Sequence, residues 1–160
     1  MNREIKFRGK CSPQSKYQGE WVTGSLVVPE IIKDNELLIV VAHSDNCKTT
    51  YHVDKDTVGQ FTGLRDKNGR EIYEGDILTA DEYPFMKDGK MNYIAVIEWF
   101  DYDVCWYASL QLHRDSKARG ISVNTPAWFD KETAETYEVI GNIHDNPELI
   151  KEEKLSLIHI

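Results

Sequence analysis

The stretch that most restricts the fold runs from Val58 to Ile77, Val-Gly-Gln-Phe-Thr-Gly-Leu-Arg-Asp-Lys-Asn-Gly-Arg-Glu-Ile-Tyr-Glu-Gly-Asp-Ile. Four of the chain's ten glycines, Gly59, Gly63, Gly69 and Gly75, fall within it. Glycine reaches positive φ without a steric cost, so this spacing fits short strands joined by tight turns. Gln60–Leu64 and Arg70–Tyr73 are strand-like and flank Arg65-Asp-Lys-Asn-Gly69. Asp66 can accept hydrogen bonds from backbone amides ahead of it, while Asn68 and Gly69 tolerate left-handed backbone. That composition predicts a type I turn with a glycine bulge closing a hairpin.

The rest of the chain extends the pattern. Arg3–Arg8 alternates, with Ile5 and Phe7 on one face, and predicts a half-buried strand near a sheet edge. Gly9–Gly19 reads as a loop, and Gly19–Val28 as a second strand ended by Pro29. Glu36–His43 is a continuous apolar run, short and rich in Ile and Val, which predicts a buried strand. Lys48–Val53 alternates again. Asp76–Ala80 starts a further strand, and 81–92 reads as a loop. Tyr93–Trp99 and Val104–Leu110 form a second hairpin through Phe100-Asp-Tyr-Asp103, with Val104, Trp106, Ala108 and Leu110 on its core face. His113–Gly120 is a polar, basic loop, and Trp128–Thr136 carries one helical turn. Tyr137–His144 is the last strand. Asn146 caps, Pro147 takes a first helical position, and Glu148–Glu153 is a short acidic helix. For Leu155–Ile160, helix and strand stay open.

The expected fold is therefore mainly β: a small closed or partly open β-barrel with an N-terminal β extension and a short C-terminal helix. At 160 residues, 41% of them hydrophobic, the chain suits one domain with a packed core. Within 1–160 the expected parts are an N-terminal β subdomain over about 1–57, a barrel over about 58–149 and a tail over 150–160.

Several blocks resemble the YopX family of phage and prophage proteins. They are Arg3–Gly9, Val58–Leu64, Asp66-Lys-Asn-Gly69, Ile72–Ile77, Glu138–Ile143 and Asn146–Leu149, in the family's order and bracketing about 1–149. The middle, about 80–136, carries little of the likeness. The resemblance implies a mostly-β, barrel-containing protein encoded in phage or integrated prophage genomes. It implies no reaction, cofactor or catalytic residue.

Charge narrows the partners. The formal net charge of −8 repels phosphate and opposes binding to nucleic acid or anionic membranes in general. Yet Arg3, Lys6, Arg8, Lys10 and Lys16 face a single acid, Glu4, over residues 1–16, so a basic head adjoins an acidic body. Cys11, Cys47 and Cys105 are widely spaced and without a CxxC pair, which predicts free thiols in a reducing compartment, the cytoplasm; the family resemblance implies that this is the cytoplasm of a bacterial host cell. No apolar leader and no eighteen-residue apolar run is present, which predicts neither a secretory signal nor a membrane span.

Chemical motifs fare poorly. Placing Gly69 at the sixth position of a calcium loop puts Leu64 and Gly75 where the strongest ligands belong. His43, Cys47 and His52 approach a metal set but lack a second cysteine at ligand spacing. Glu71, Glu74 and Asp76, and Asp101 with Asp103, sit beside predicted turns and are expected to be solvated. No nucleophile elbow, Walker loop or His-Glu-x-x-His occurs. No catalytic residue, cofactor or metal is therefore assigned. The feature left is aromatic: Trp99, Phe100, Tyr102, Trp106 and Tyr107, interleaved with Glu98, Asp101 and Asp103. Those acids have the wrong sign for phosphate and suit a protein-binding or subunit surface.

The reading is an interaction or self-associating module without enzymatic activity, whose partners are further copies of itself or a host or phage protein. Its candidate surface residues are Phe100, Tyr102, Tyr107, Arg3 and Arg8. The alternative is a barrel binding single-stranded nucleic acid through Arg3 to Lys16; an enzyme or a metal protein ranks below both.

Overall fold

Short alternating runs become strands throughout the residues described by this computed structural model, which are 2–80, 82–83, 86–87, 93–113 and 126–150. The expected mainly-β fold is observed, with a curled half-barrel sheet, a second sheet and few short helices. Contacts divide the chain into two units, 1–63 and 64–160.

In the first unit, β1 (Phe7–Lys10), β2 (Trp21–Val27), β3 (Glu36–Ala42), β4 (Lys48–Asp54) and β5 (Gly59–Arg65) lie in the order β4-β3-β2-β1-β5. β5 continues past the division between the units. The sheet curls until β4 reaches the chain just past β1: Cys11 bridges Val53 of β4, and the Ser12 amide donates to the His52 carbonyl at 3.0 Å. Two glycines permit this tightness. A Cβ on Gly9 would lie 2.9 Å from the Val53 Cβ, and one on Gly24 would lie 2.3 Å from the Val40 carbonyl oxygen. Leu37, Ile39 and Val53 fill the curl, packed by Val22, Leu26, Val41, Tyr51 and Val58.

Two expectations are corrected in this unit. The strand expected at Arg3–Arg8 starts at Phe7, Ile5 is exposed, and Arg8 is buried. The reason is position: β1 is not near an edge but lies between β2 and β5, and the Arg8 side chain lies over the Trp21 ring of the neighbouring β2. The run Glu36–His43 is not buried throughout; Leu37 and Ile39 point into the curl, while Leu38, Val40 and Val41 are half-buried. A small curled sheet encloses only one of its faces, and the pleat sends alternate residues to each.

In the second unit come β6 (Glu71–Tyr73), β7 (Asp76–Ala80), β8 (Glu82–Tyr83), β9 (Met86–Lys87), β10 (Tyr93–Phe100), β11 (Cys105–His113), β12 (Pro126–Trp128), α1 (Lys131–Ala134) and β13 (Glu138–Asn142). The main sheet has the order β12-β11-β10-β7-β13, and β8 pairs with β9. One face buries Ile72, Leu78, Ala80, Ala95, Ile97, Ala108, Phe129, Ala134, Tyr137 and Val139. The other carries Ile77, Ile94 and Val96, covered by Ile140, Leu149 and Ile150. Fully burying a large aliphatic or aromatic side chain contributes about 1.5–3 kcal/mol, so this two-sided sheet is the main source of stability in the unit. The Asp130 carboxylate accepts from the Thr133 amide at 2.8 Å and caps α1 where one helical turn was expected. A further helical turn begins at Glu148, with the Leu149 amide on the Asn146 carbonyl. The expected loop at 81–92 holds the β8–β9 ladder; its residues 81, 84–85 and 88–92, the loop over 114–120 and the tail 151–160 lie outside the described residues.

Candidate interaction surface

The hairpin of the opening stretch forms as its composition predicts, but its acids are not solvated. Asp66 is 4% exposed. Its Oδ1 accepts from the amides of Asn68 (2.9 Å) and Arg70 (2.8 Å), and its Oδ2 accepts from the amide of Val139 at 3.0 Å. Burial acts to raise its pKa, yet the amides of Val139, Arg70 and Asn68 and the Arg70 charge prevail and hold the carboxyl below the usual range. Gly69 takes φ +81°, as the turn requires. Asp76 is buried as well, and its Oδ2 accepts from the Tyr73 amide at 2.8 Å. Glu71 accepts from the Tyr73 hydroxyl and faces Arg65 at 3.3 Å. The expectation of solvated carboxylates fails at Asp76, is only partly met at the half-buried Glu71 and Glu74, and is met at the exposed Asp101 and Asp103; tight turns present bare amides, which a buried carboxylate satisfies.

A second cluster has the composition of a catalytic set without its geometry. The Ser12 hydroxyl donates to Glu36 Oε1 at 2.8 Å, and His52 Nδ1 lies 2.9 Å from Glu36 Oε2. A serine nucleophile needs imidazole against its own oxygen. Here the carboxylate stands between hydroxyl and ring, so the group clamps the seam where the first sheet curls shut. His43 is tied to Thr49 at 2.6 Å. Among the described residues no three His, Cys, Asp or Glu converge as a metal site.

The aromatic cluster lies at the tip of β10–β11. Trp99 stands opposite Trp106 and Phe100 opposite Cys105, with residues 101–104 turning the chain. Trp99 meets Trp106 edge-on, centroids 5.0 Å apart, and Phe100 stacks on Tyr107 at 4.7 Å. Tyr107 also stands opposite Trp128 of β12. Its hydroxyl donates to Asp103 and accepts from the Trp128 indole N–H at 2.6 Å. The bond to Asp103, then burial, push the phenol's pKa up. Val104 takes φ +53°, an unusual conformation for a β-branched residue, and its side chain faces solvent. Trp99, Phe100 and Val104 are exposed; Tyr102 is 90% exposed and Trp128 73%. Glu98, Asp101 and Asp103 are exposed around them.

Phe100 and Tyr102 thus lie on the surface. Tyr107 does not: it is buried, because Phe100 covers its ring and Asp103 and Trp128 hold its hydroxyl. Val104 is likewise no core residue; it belongs to the turn, and β11 starts at Cys105. Trp128 completes the platform but lies 21 residues from Tyr107 in sequence, and nothing in its local composition marks it as the hairpin's neighbour. In the first unit Arg3 is exposed, whereas Arg8 is buried with its guanidinium 5.0 Å from the centre of the Trp21 ring. Lys6 lies over Phe61 and pairs with Glu4, and Lys16 lies over Tyr17.

A family model described as YopX protein matches residues 6–151. No curated protein matches the chain. Among solved structures, the crystal structure of protein EF1440 from Enterococcus faecalis is similar with a TM-score of 0.49 and 22% identity, over 93% of this chain and 99% of that one.

Proposed function

This chain belongs to the YopX family, and from that footing we propose that it works through protein contacts, self-association among them, and not through a reaction. The observation that carries the reading is the exposed tip formed by Phe100, Tyr102, Val104 and Trp128, in which Phe100 stacks on the pinned Tyr107 and the Trp128 indole donates to it, while Trp99 is exposed on the hairpin's other face beside Trp106. Such exposure costs solvation free energy, and a rigid aromatic platform with an acidic rim is the composition of a contact surface. On this reading the protein is encoded by a phage or prophage and acts in the cytoplasm of the bacterial host. The exposed free thiol of Cys47 suits that reducing compartment. No observation favours the nucleic-acid alternative: Lys6, Arg8 and Lys16 lie against rings of their own unit.

Light scattering across concentration at low and high salt tests the reading. Association beyond the monomer, weakened by Tyr102→Ser, is expected. A strict monomer at about 1 mM and low salt, or association indifferent to Tyr102→Ser, overturns it.

A further inference from the structure

The platform's chemistry specifies its occupant. Its rim, Glu98, Asp101 and Asp103, is acidic, and its floor is aromatic. The complement is a cation carried beside an exposed aliphatic group, since guanidinium can pair with carboxylate and lie over a ring at once. This chain displays that pair at its own head. Arg3 is exposed and has no hydrogen bond or ion pair among the described residues, and Ile5, two residues on, is 45% exposed. Lys6, Arg8 and Lys16 already lie over rings of their own unit and Lys10 is half-buried with an interaction of its own, so Arg3 is the head cation left to reach outward.

Resting on the reading above, we propose that the platform of one copy receives the Arg3–Ile5 segment of a second copy, with Arg3 against Asp101 and over Tyr102 and with Ile5 on the Trp128 side. The contact is heterologous, because head and platform are different surfaces. A joined pair therefore keeps one free head and one free platform, and assembly proceeds to rings or chains instead of stopping at a two-fold dimer. Opposite charges across the contact make it salt-sensitive.

Reciprocal charge reversal in the full-length chain tests this, read by sedimentation velocity at low salt. Arg3→Glu and Asp101→Lys, both at exposed positions, are each expected to weaken association about tenfold, the loss of one charged pair at an interface. Mixing the two variants is expected to restore a contact between the reversed head and the reversed platform. The Arg3→Glu/Asp101→Lys double variant is expected to regain assembly by itself. If Tyr102→Ser weakens association while Arg3→Glu does not, the platform is a contact surface but the head is not its occupant, and the inference falls alone. If Arg3→Glu and Asp101→Lys each weaken association but neither mixing nor the double variant recovers it, the pairing is likewise refuted. If Tyr102→Ser also leaves association unchanged, the platform reading falls with it.

Discussion

Replacing Asp66 by alanine removes one side chain and three hydrogen bonds. Those bonds hold the hairpin turn at Asn68 and Arg70 and, seventy-three residues away, the start of β13 at Val139. A hydrogen bond to a charged group contributes about 1.5–3 kcal/mol, and an unpaired buried amide costs on the order of 1–3 kcal/mol. Water can reach the turn amides but not the Val139 amide, which is buried. The expected loss for Asp66→Ala is roughly 4 kcal/mol at neutral pH, a large share of a stability of about 5–15 kcal/mol. Asp66→Asn keeps Oδ1 for the turn but turns an amide donor toward the Val139 N–H, and about 2 kcal/mol is expected. Urea unfolding followed by tryptophan fluorescence reads this directly, because Trp99, Trp106 and Trp128 share the unit with Asp66. The pH dependence has a definite sign. The folded-state pKa is lowered, so the stabilisation is fully present above the ordinary carboxylate pKa and is lost as pH falls through the folded value. The gap between wild type and Asp66→Asn should therefore narrow in acid. An Asp66→Ala variant within about 1 kcal/mol of wild type at pH 7 would refute the assignment of Asp66 as the stitch between turn and β13.

Three further outcomes are expected. Gly24→Ala should destabilise the first unit by about 2–4 kcal/mol in the same urea experiment, since its Cβ meets the Val40 carbonyl rather than a side chain that can move. Asp103→Asn should lower the pKa of Tyr107 toward its ordinary value, seen as an earlier step in an ultraviolet tyrosinate titration; the Tyr107 contribution to stability is present below the unfolded pKa and fades as pH rises through the raised folded one. In the native state a thiol reagent should label the exposed Cys47 quickly and the buried Cys11 only on unfolding, since burial, with Glu20 adding to it, pushes the Cys11 thiol up.

Local chemistry was legible in the sequence and lateral neighbours were not. The Asp66–Gly69 turn, the helical turn within Trp128–Thr136 and the two hairpins follow from residues within a few positions of each other, and they form as read. Arg8 and Tyr107 show the limit. Period-2 alternation assigns a residue to a face but does not say how many layers cover that face. Arg8 goes under because its side chain lies over Trp21 of the neighbouring β2, and Tyr107 goes under because Phe100 covers its ring and β12 returns to it. The burial of Asp66 was hidden for a related reason: its third donor, Val139, belongs to a strand that only the fold brings near. Trp128 joined the platform by the same route.

The position of β1 sets an order of events. It is the first strand made, yet it pairs with β2 on one side and with β5 on the other, Phe7 opposite Gln60. During synthesis, residues 7–10 can take only one of their two neighbours until about fifty more residues have left the ribosome, and the seam at Val53 waits nearly as long. A nascent chain therefore carries an open strand edge through its first sixty residues. The exposed Arg3, just ahead of that strand, is placed where a charge discourages premature pairing with other chains.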